Sequence, residues 1–378
     1  MLLAPFFSQG ENSEVKHYIL QDNHILPFTD CDEAAEYHGG FAKVMMVDIH
    51  PDHHNFNDPL QCKRGFAVKQ LYKEDREAFD RERHILKRFS GYRSHRHIIS
   101  LLATYEQHNK FHFIFYRAEG DLFELWKESV REPDFNYSNI CWMAEQCAGI
   151  ADALMHLHKH MTFLHHKRIN EAMQNLQSDN QFIDEHFQPC IYERSETIQS
   201  SGARVPLDSP TWIPGKDDVK FYDHTDTETR FGRHGDLDPG NILWHSGSSP
   251  GEFSSQAILK IADFGQATLN SMQSKTTRSP VANKETYRPP DHDITPGTIG
   301  QSYDIWCLGC VLLEFAAWML GGAELLQQFV EARIARDGTR KDVTTDRFFE
   351  LVNNEDSVEV EARVKPAVTR VCVHVSKT

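Results

Sequence analysis

Two short apolar runs, Ile242-Leu243-Trp244 and Leu259-Lys260-Ile261-Ala262, constrain this chain most, because oxygen-bearing side chains sit at the ends of both. Before the first run stands Arg233-His234-Gly235-Asp236-Leu237-Asp238-Pro239-Gly240-Asn241, which puts a carboxylate and a carboxamide on one short loop. The second run ends in Asp263-Phe264-Gly265. Runs of this length bounded by Gly and Pro read as strands, and the polar stretch from Ser246 to Gln256 separates them as a turn. Phosphoryl transfer uses such a set: a carboxylate to position an attacking hydroxyl, and an Asn and an Asp to hold magnesium on phosphates.

The order of these residues follows the pattern H-R-D-L-x-x-x-N then D-F-G, so the chain resembles eukaryotic-type protein kinases. The wording around the loop, with His234-Gly235-Asp236, is most similar to kinase-like proteins of filamentous fungi. Upstream, Gly65-Phe66-Ala67-Val68-Lys69-Gln70-Leu71 resembles the strand whose Lys reaches the α and β phosphates. After it, Phe79, Leu86 and Phe89 recur at helical spacing, and Glu82 falls on the same stripe. A carboxylate on a buried stripe is costly unless paired, and Lys69 is its natural partner. Downstream, Thr286-Tyr287-Arg288-Pro289-Pro290-Asp291 stands where the family carries A-P-E. The stretch from Ser302 to Leu313 is similar to the family's central helix and is apolar nearly all round. The resemblance implies that Asp304 ties this helix to the catalytic loop.

What the resemblance implies can be stated residue by residue. The fold is α+β, bilobal and protein-kinase-like: an N-terminal extension over 1–24, an N-lobe of small antiparallel sheet plus one helix over 25–118, and a larger, mainly helical C-lobe over 119–378. The cofactors are ATP and magnesium (Mg2+), and the substrate is a protein Ser or Thr hydroxyl. Asp236, Lys69 and Glu82 take the catalytic roles, with Asn241 and Asp263 as metal ligands. Gly39, Gly40, Val44, Ala67, Lys69, Tyr116, Ala118 and Asp121 surround the nucleotide. In the phosphate-covering turn, Tyr37 and Ala42 stand in place of the first and third glycines, so that loop holds phosphate less closely.

Composition narrows the setting. A chain of 378 residues suits one two-lobed domain or two ordinary domains. Its net charge of -15 and pI near 5.8 argue against a nucleic-acid or anionic-membrane partner. Mean hydropathy is -0.54, and no apolar run of about 18 residues is seen, so no membrane span is expected. The start lacks the basic region of a secretory signal. Of the 8 cysteines only Cys307-x-x-Cys310 has metal-like spacing, and without a second pair these read as core thiols. An intracellular protein, cytoplasmic or nuclear, is the expectation; the sequence carries no signal of oligomeric state.

Other stretches depart from the family. Ile140, Met143, Ala144, Cys147, Ala148, Ala151, Leu154 and Leu157 predict the core stripe of a helix, with a solvated His-rich end at His156 and His158. From about 161 to 230 the periodicity collapses, which reads as an insertion. The His-rich stretch from Asp48 to Pro59 reads as a solvated turn. Gly235 replaces an Arg that grips activation-loop phosphate. Asp238 replaces a Lys that faces the γ-phosphate, and Lys284 is placed to pair with Asp238 or Asp236. The tail from Val364 to Val375 is β-branched and unlike the family's terminal helices, as though the C-lobe were incomplete. Three readings follow: an active serine/threonine protein kinase, a pseudokinase or nucleotide-binding scaffold, and a small-molecule phosphotransferase. The third rests on His234 to Asn241, which also resembles the aminoglycoside and choline kinase loop; the segment from Tyr287 to Asp291 disfavours it.

Overall fold

The computed structural model describes residues 4–10, 13–38, 42–72, 75–159, 230–246, 256–271, 285–294, 300–336, 343–353 and 360–375. The chain divides into one unit of residues 1–160 with 230–378 and a second over 161–229. The second unit, which coincides with the insertion read from the sequence, lies outside the described residues.

Six strands form the principal sheet: β1 (Lys16–Ile19), β2 (Phe28–His38), β3 (Ala42–Ile49), β4 (Phe66–Leu71), β5 (Leu101–Gln107) and β6 (Lys110–Tyr116), in the order β1-β5-β6-β4-β3-β2. Alternation along β4 and β6 sorts the side chains between two faces. Phe66, Val68 and Ile114 enter an outer apolar cluster with Phe7, Val47 and Tyr105. Phe111, Phe113 and Phe115 enter the main core. The sheet is mixed rather than purely antiparallel, because β1 pairs with β5 in parallel. Its strand arrives from the N-terminal segment and not through a hairpin, so nothing forces it to reverse. Residues 1–24, read as an extension, thus supply an edge strand and the fully buried Phe7.

Between β3 and β4 the His-rich stretch forms a 3-10 turn, Pro51–His53, and a one-turn helix α1 (Pro59–Cys62). His54 stacks on Phe56, and Phe56 is buried, so this connection is only partly solvated. Helix α2 (Arg76–Arg88) starts where the Asp75 carboxylate accepts from the Ala78 N–H at 3.0 Å. Its buried stripe is Phe79, Glu82, Ile85 and Leu86. Phe79 stacks on Phe111 at 4.6 Å, which lays the helix over the sheet face that carries Lys69.

The rest is mainly helical. A short helix α3 (Leu122–Glu124) runs into a π turn, Leu125–Ser129, and α4 (Tyr137–His158) follows. The core stripe of α4 is rotated from the sequence expectation. Trp142, Gln146, Ile150, Ala153, Leu154, Leu157 and His158 are buried, whereas Ala144, Ala148 and Ala151 are exposed. Partners explain the rotation. The Trp142 indole donates to the Ala257 carbonyl at 2.7 Å, and Gln146 accepts from the Leu259 N–H at 3.0 Å, so both bury their polar ends.

Strands β7 (Gly120–Asp121), β9 (Ile242–His245) and β10 (Ile258–Ile261) form a three-stranded sheet, and β8 (Arg230–Arg233) pairs with β11 (Thr268–Ser271). After a one-turn helix α5 (Asp291–Ile294) comes α6 (Ser302–Arg333), bent at Gly321–Gly322, where Gly322 adopts φ +65°. By length and composition α6 could cross a membrane, against the expectation that no such run exists. Its Asp304, Glu314 and Arg333 are buried with partners and its Phe315 and Trp318 lie in the main core, as in the central helix of a folded unit. Strand pairs β12 (Ala335–Arg336) with β13 (Thr344–Thr345), and β14 (Phe349–Asn353) with β15 (Val360–Val364), precede a last helix α7 (Pro366–Val375). The β-branched tail is therefore helical, contrary to its propensity. Pro366 opens the helix, Ala367 and Val368 are buried, and α7 packs on α6.

Candidate functional site

Lys69, Glu82 and Asp263 meet in space from β4, α2 and the end of β10. The Lys69 Nζ donates to Glu82 Oε1 and to Asp263 Oδ1, both at 2.8 Å. Glu82 is 4% exposed, and its burial pushes the carboxyl up against the pull of Lys69. Burial would lower Lys69, but the carboxylates of Asp263 and Glu82 outweigh it and hold the ammonium above its ordinary value. Asp263 has a side chain 48% exposed. Burial opposes its ionisation, yet the Lys69 ammonium wins and pulls its pKa down to about 2. The backbone of Asp263 is left-handed, with φ 55°, and its carboxylate also accepts from the Gly265 N–H at 3.1 Å. A non-glycine residue in that region is strained, and such strain gathers at functional sites.

The segment from Arg233 to Asn241 is held from below by Asp304 of α6. Its fully buried carboxylate accepts from the His234 and Gly235 N–H groups, each at 2.8 Å. The His158 ring at the end of α4 bonds the same carboxylate at 2.8 Å. Gly235 has φ +83°, a conformation that strains any side chain. His234 is buried: its Nε2 donates to the Ala262 carbonyl at 2.9 Å, so Nδ1 accepts from the Asp236 N–H at 3.3 Å. The Asn241 carboxamide donates to the Asp236 carbonyl at 2.7 Å, and Ala262 donates to the Asn241 carbonyl at 2.9 Å. This lattice binds the Asp236 loop to the base of the Asp263 turn.

Asp238 departs from the sequence reading. It is 2% exposed and caps the turn Pro239–Asn241 by accepting from the Gly240 N–H at 2.7 Å. Its side chain is folded into the loop rather than set beside a phosphate. Lys284, offered as its partner, lies outside the described residues, as do Gly39 and Gly40.

Val44 lies opposite Lys69 across β3 and β4, and Ala67 lies opposite Phe115 across β4 and β6, so Val44, Ala67, Lys69, Phe113 and Phe115 share a face. Tyr116 faces the other way: its ring stacks on Phe66, and its hydroxyl accepts from the Asp58 N–H at 3.2 Å. Around it, Arg117 donates to the Gly65 carbonyl and Glu119 to the Trp244 carbonyl. Ala118 stands between these two anchored residues. Asp121 caps α3 in a reciprocal box with Glu124.

A hard cation fits the polar end of this site. Asn241 uses its NH2 on Asp236, which leaves Oδ1, and both contacts of Asp263 fall on its Oδ1. Among the described residues no three His, Cys, Asp or Glu side chains gather to hold a metal alone. One carboxylate and one carboxamide suit magnesium that also takes phosphate oxygens.

Residues 230–370 match the protein kinase domain. The matched region carries Asp236, Asn241, Asp263 and Asp304, while Lys69 and Glu82 come to it from outside. Cyclin-dependent kinase 15 of Mus musculus is 40% identical over 81 residues, 21% of this chain and 16% of that protein. Its Homo sapiens counterpart is 37% identical over 81 residues with the same coverage. Cyclin-dependent kinase 17 of Caenorhabditis elegans is 34% identical over 84 residues, 22% of this chain and 11% of that one. The chain thus spans between 11% and 16% of the length of these relatives. Match and relatives together support a eukaryotic protein kinase domain.

Sequence reasoning missed two supports. His158 was read as solvated, but it stands one helical turn after Leu154 on the buried stripe, and that spacing is the signal that could have found it. The second support is Asp293, which pairs with Arg347 at 2.5 Å and with Arg288 at 2.9 Å. Its pairing with Arg347 joins residues too far apart for any local pattern to show.

Proposed function

We propose that this chain is a bilobal protein kinase that transfers phosphoryl from ATP, with magnesium, to a Ser or Thr hydroxyl of a protein substrate. The reading is carried by one observation: Lys69 Nζ lies 2.8 Å from both Glu82 and Asp263, carboxylates contributed by separate elements. Lys69, oriented by Glu82, is the group to hold the α and β phosphates. Asp263 and Asn241 would hold magnesium, which when bound neutralises charge developing on the transferred phosphoryl. Asp236, fixed through its carbonyl by Asn241 and its N–H by His234, is set to orient the acceptor hydroxyl and take its proton. Val44, Ala67 and Phe115 offer the apolar face for a base, with the Ala118 backbone at its edge. The expected setting is intracellular, with reduced thiols.

The test is transfer of labelled γ-phosphate to a generic basic protein with and without magnesium. Asp236→Asn is expected to reduce the rate by about 100-fold or more while leaving nucleotide binding intact. Equal rates in the two proteins would overturn the assignment. A second reading, a nucleotide-binding scaffold with little catalysis, is favoured by Asp238, which stands where the family's Lys would serve transfer and supplies no cation there. Magnesium-dependent ATP binding without transfer is its signature.

A further inference from the structure

Strand β1 sends alternate side chains to opposite sides of the sheet. Tyr18 goes to the outer cluster, where its ring meets Phe7 edge-on at 5.4 Å and its hydroxyl accepts from the Ser8 N–H at 2.7 Å. Val15, just before β1, and His17 go the other way. Val15 is buried in the main core, and the His17 ring lies 5.5 Å from that of Phe79 on α2. One edge strand therefore joins the N-terminal segment to the helix that carries Glu82.

Polar links reinforce this packing. The His17 Nε2 donates to Glu106 Oε1 at 2.9 Å, since a carboxylate only accepts, and Nδ1 then accepts from the Thr104 hydroxyl at 3.0 Å. Burial and the Arg83 charge lower the His17 pKa, which favours this neutral ring. Glu106 in turn accepts from both Nη atoms of Arg76, at 3.0 Å and 2.6 Å. Arg76 opens α2, and its guanidinium lies over the Phe111 ring at 5.1 Å. In the last turn of α2, Lys87 donates to Glu14 Oε1 at 3.4 Å. A lone exposed ion pair contributes little, but the Arg76–Glu106 pair is bidentate and its carboxylate is largely buried and held again by His17. The segment from Glu14 to Tyr18 thus meets α2 on both sides of Glu82. A shift of α2 by about 1 Å would carry Glu82 out of hydrogen-bonding range of Lys69, now 2.8 Å away.

We propose that β1 is a built-in clamp on α2 and that His17 is a positioning residue of the candidate site: through Glu106 and Arg76 it fixes the helix that presents Glu82 to Lys69. The proposal rests on the protein-kinase reading. His17 touches neither Lys69 nor Glu82, so its effect on transfer passes only through the placement of α2.

The test uses the full chain and three variants: His17→Leu, which removes the hydrogen bonds, His17→Gln, which keeps a donor for Glu106, and Arg76→Ala, which cuts the link from the helix side. Arg76 has a side chain 59% exposed, so its loss leaves the core intact even if His17→Leu fails to fold. Two readouts are taken. Glu77 of α2 and Asp48 of β3, both exposed, are replaced by a ketone-bearing residue that takes a spin label, and dipolar electron resonance reads the distance between them. Transfer of labelled γ-phosphate to a generic basic protein gives kcat and KM for ATP. In His17→Leu and Arg76→Ala the distance distribution is expected to broaden and kcat to fall about tenfold with KM for ATP little changed, whereas His17→Gln recovers most of both. An unchanged distance distribution and kcat in Arg76→Ala would overturn the proposal. His17→Gln behaving like His17→Leu would place the effect in ring packing on Phe79 and overturn the route through Glu106. Absence of transfer in the parent refutes the protein-kinase reading alone, and the distances still decide whether β1 clamps α2.

Discussion

Lys69 is held by two carboxylates, and replacing its ammonium tests both at once. Lys69→Met is expected to lower transfer by roughly 100-fold or more, with an unchanged far-ultraviolet dichroism spectrum. Unchanged turnover would show that β4 does not carry the phosphate-binding cation. The same variant makes a statement about Asp263. In the parent its carboxyl is pulled down to about 2 by Lys69, below the roughly 3.9 of an unfolded Asp. A group whose folded pKa is depressed adds stability that is fully present above about pH 4 and is lost as pH falls from there toward 2. In Lys69→Met the largest pull on that carboxyl is gone while burial remains, so carbon NMR of the Asp263 carboxyl should titrate above its value in the parent. A midpoint that stays near its parent value would mean that Lys69 does not set the charge of Asp263. Lys69 and Glu82 were legible because a charged residue on an apolar stripe needs a partner. The orientation of Asp238 was not, since whether a loop side chain turns outward or caps its own backbone depends on local dihedrals.

At the scale of elements, Asp304 joins α6 and α4 to the segment from Arg233 to Asn241. Asp304→Ala would orphan the buried His234 and Gly235 N–H groups and the His158 ring together. The expected cost is roughly 3 kcal/mol or more, read as a shift in the urea midpoint. A loss below about 1 kcal/mol would mean that water replaces the carboxylate without strain. Helix α2 depends on its cap, and Asp75→Ala should cost about 1 kcal/mol by the same measurement. Stability unchanged in that variant would show that packing of Phe79 and Leu86 alone sets the helix start. The elements themselves were only partly legible. The stripe of α2 is readable because its buried residues are apolar, apart from one paired Glu. That of α4 is not, because Trp142 and Gln146 are buried through hydrogen bonds to a strand distant in sequence. The β-branched tail became α7 because burial against α6 outweighs strand propensities, which span only about 1 kcal/mol.

For the whole molecule, the two ends of the stretch from 161 to 229 are stapled together by described residues. The Leu157 carbonyl lies against Gly232 with no room for a side chain. Gln301 donates to the carbonyls of His158 at 2.7 Å and Gly232 at 3.0 Å. Chain closure at this point needs only a short connection, and each halving of loop length saves about 0.6 kcal/mol of closure entropy. Replacing 161–229 with a short Gly/Ser linker is therefore expected to leave the thermal midpoint equal or slightly higher. A protein that no longer folds after the replacement would show that the stretch is part of the core.

Motif order by itself pointed to the proposed chemistry: Lys69, Glu82, Asp236, Asn241 and Asp263 stand out because phosphoryl transfer restricts residue type and spacing. Periodicity determined the strand that bears Lys69 and the helix that bears Glu82, because one apolar face suffices to announce each. Only the tertiary structure decided that β1 joins the sheet in parallel, that Asp238 turns inward, and that His158 and Asp293 take up charged partners. The pairing of β1 with β5, of His158 with Asp304 and of Asp293 with Arg347 joins segments far apart in sequence, while Asp238 follows the dihedrals of its own loop. The free energy of those pairings comes from burial and from partners that no local pattern contains.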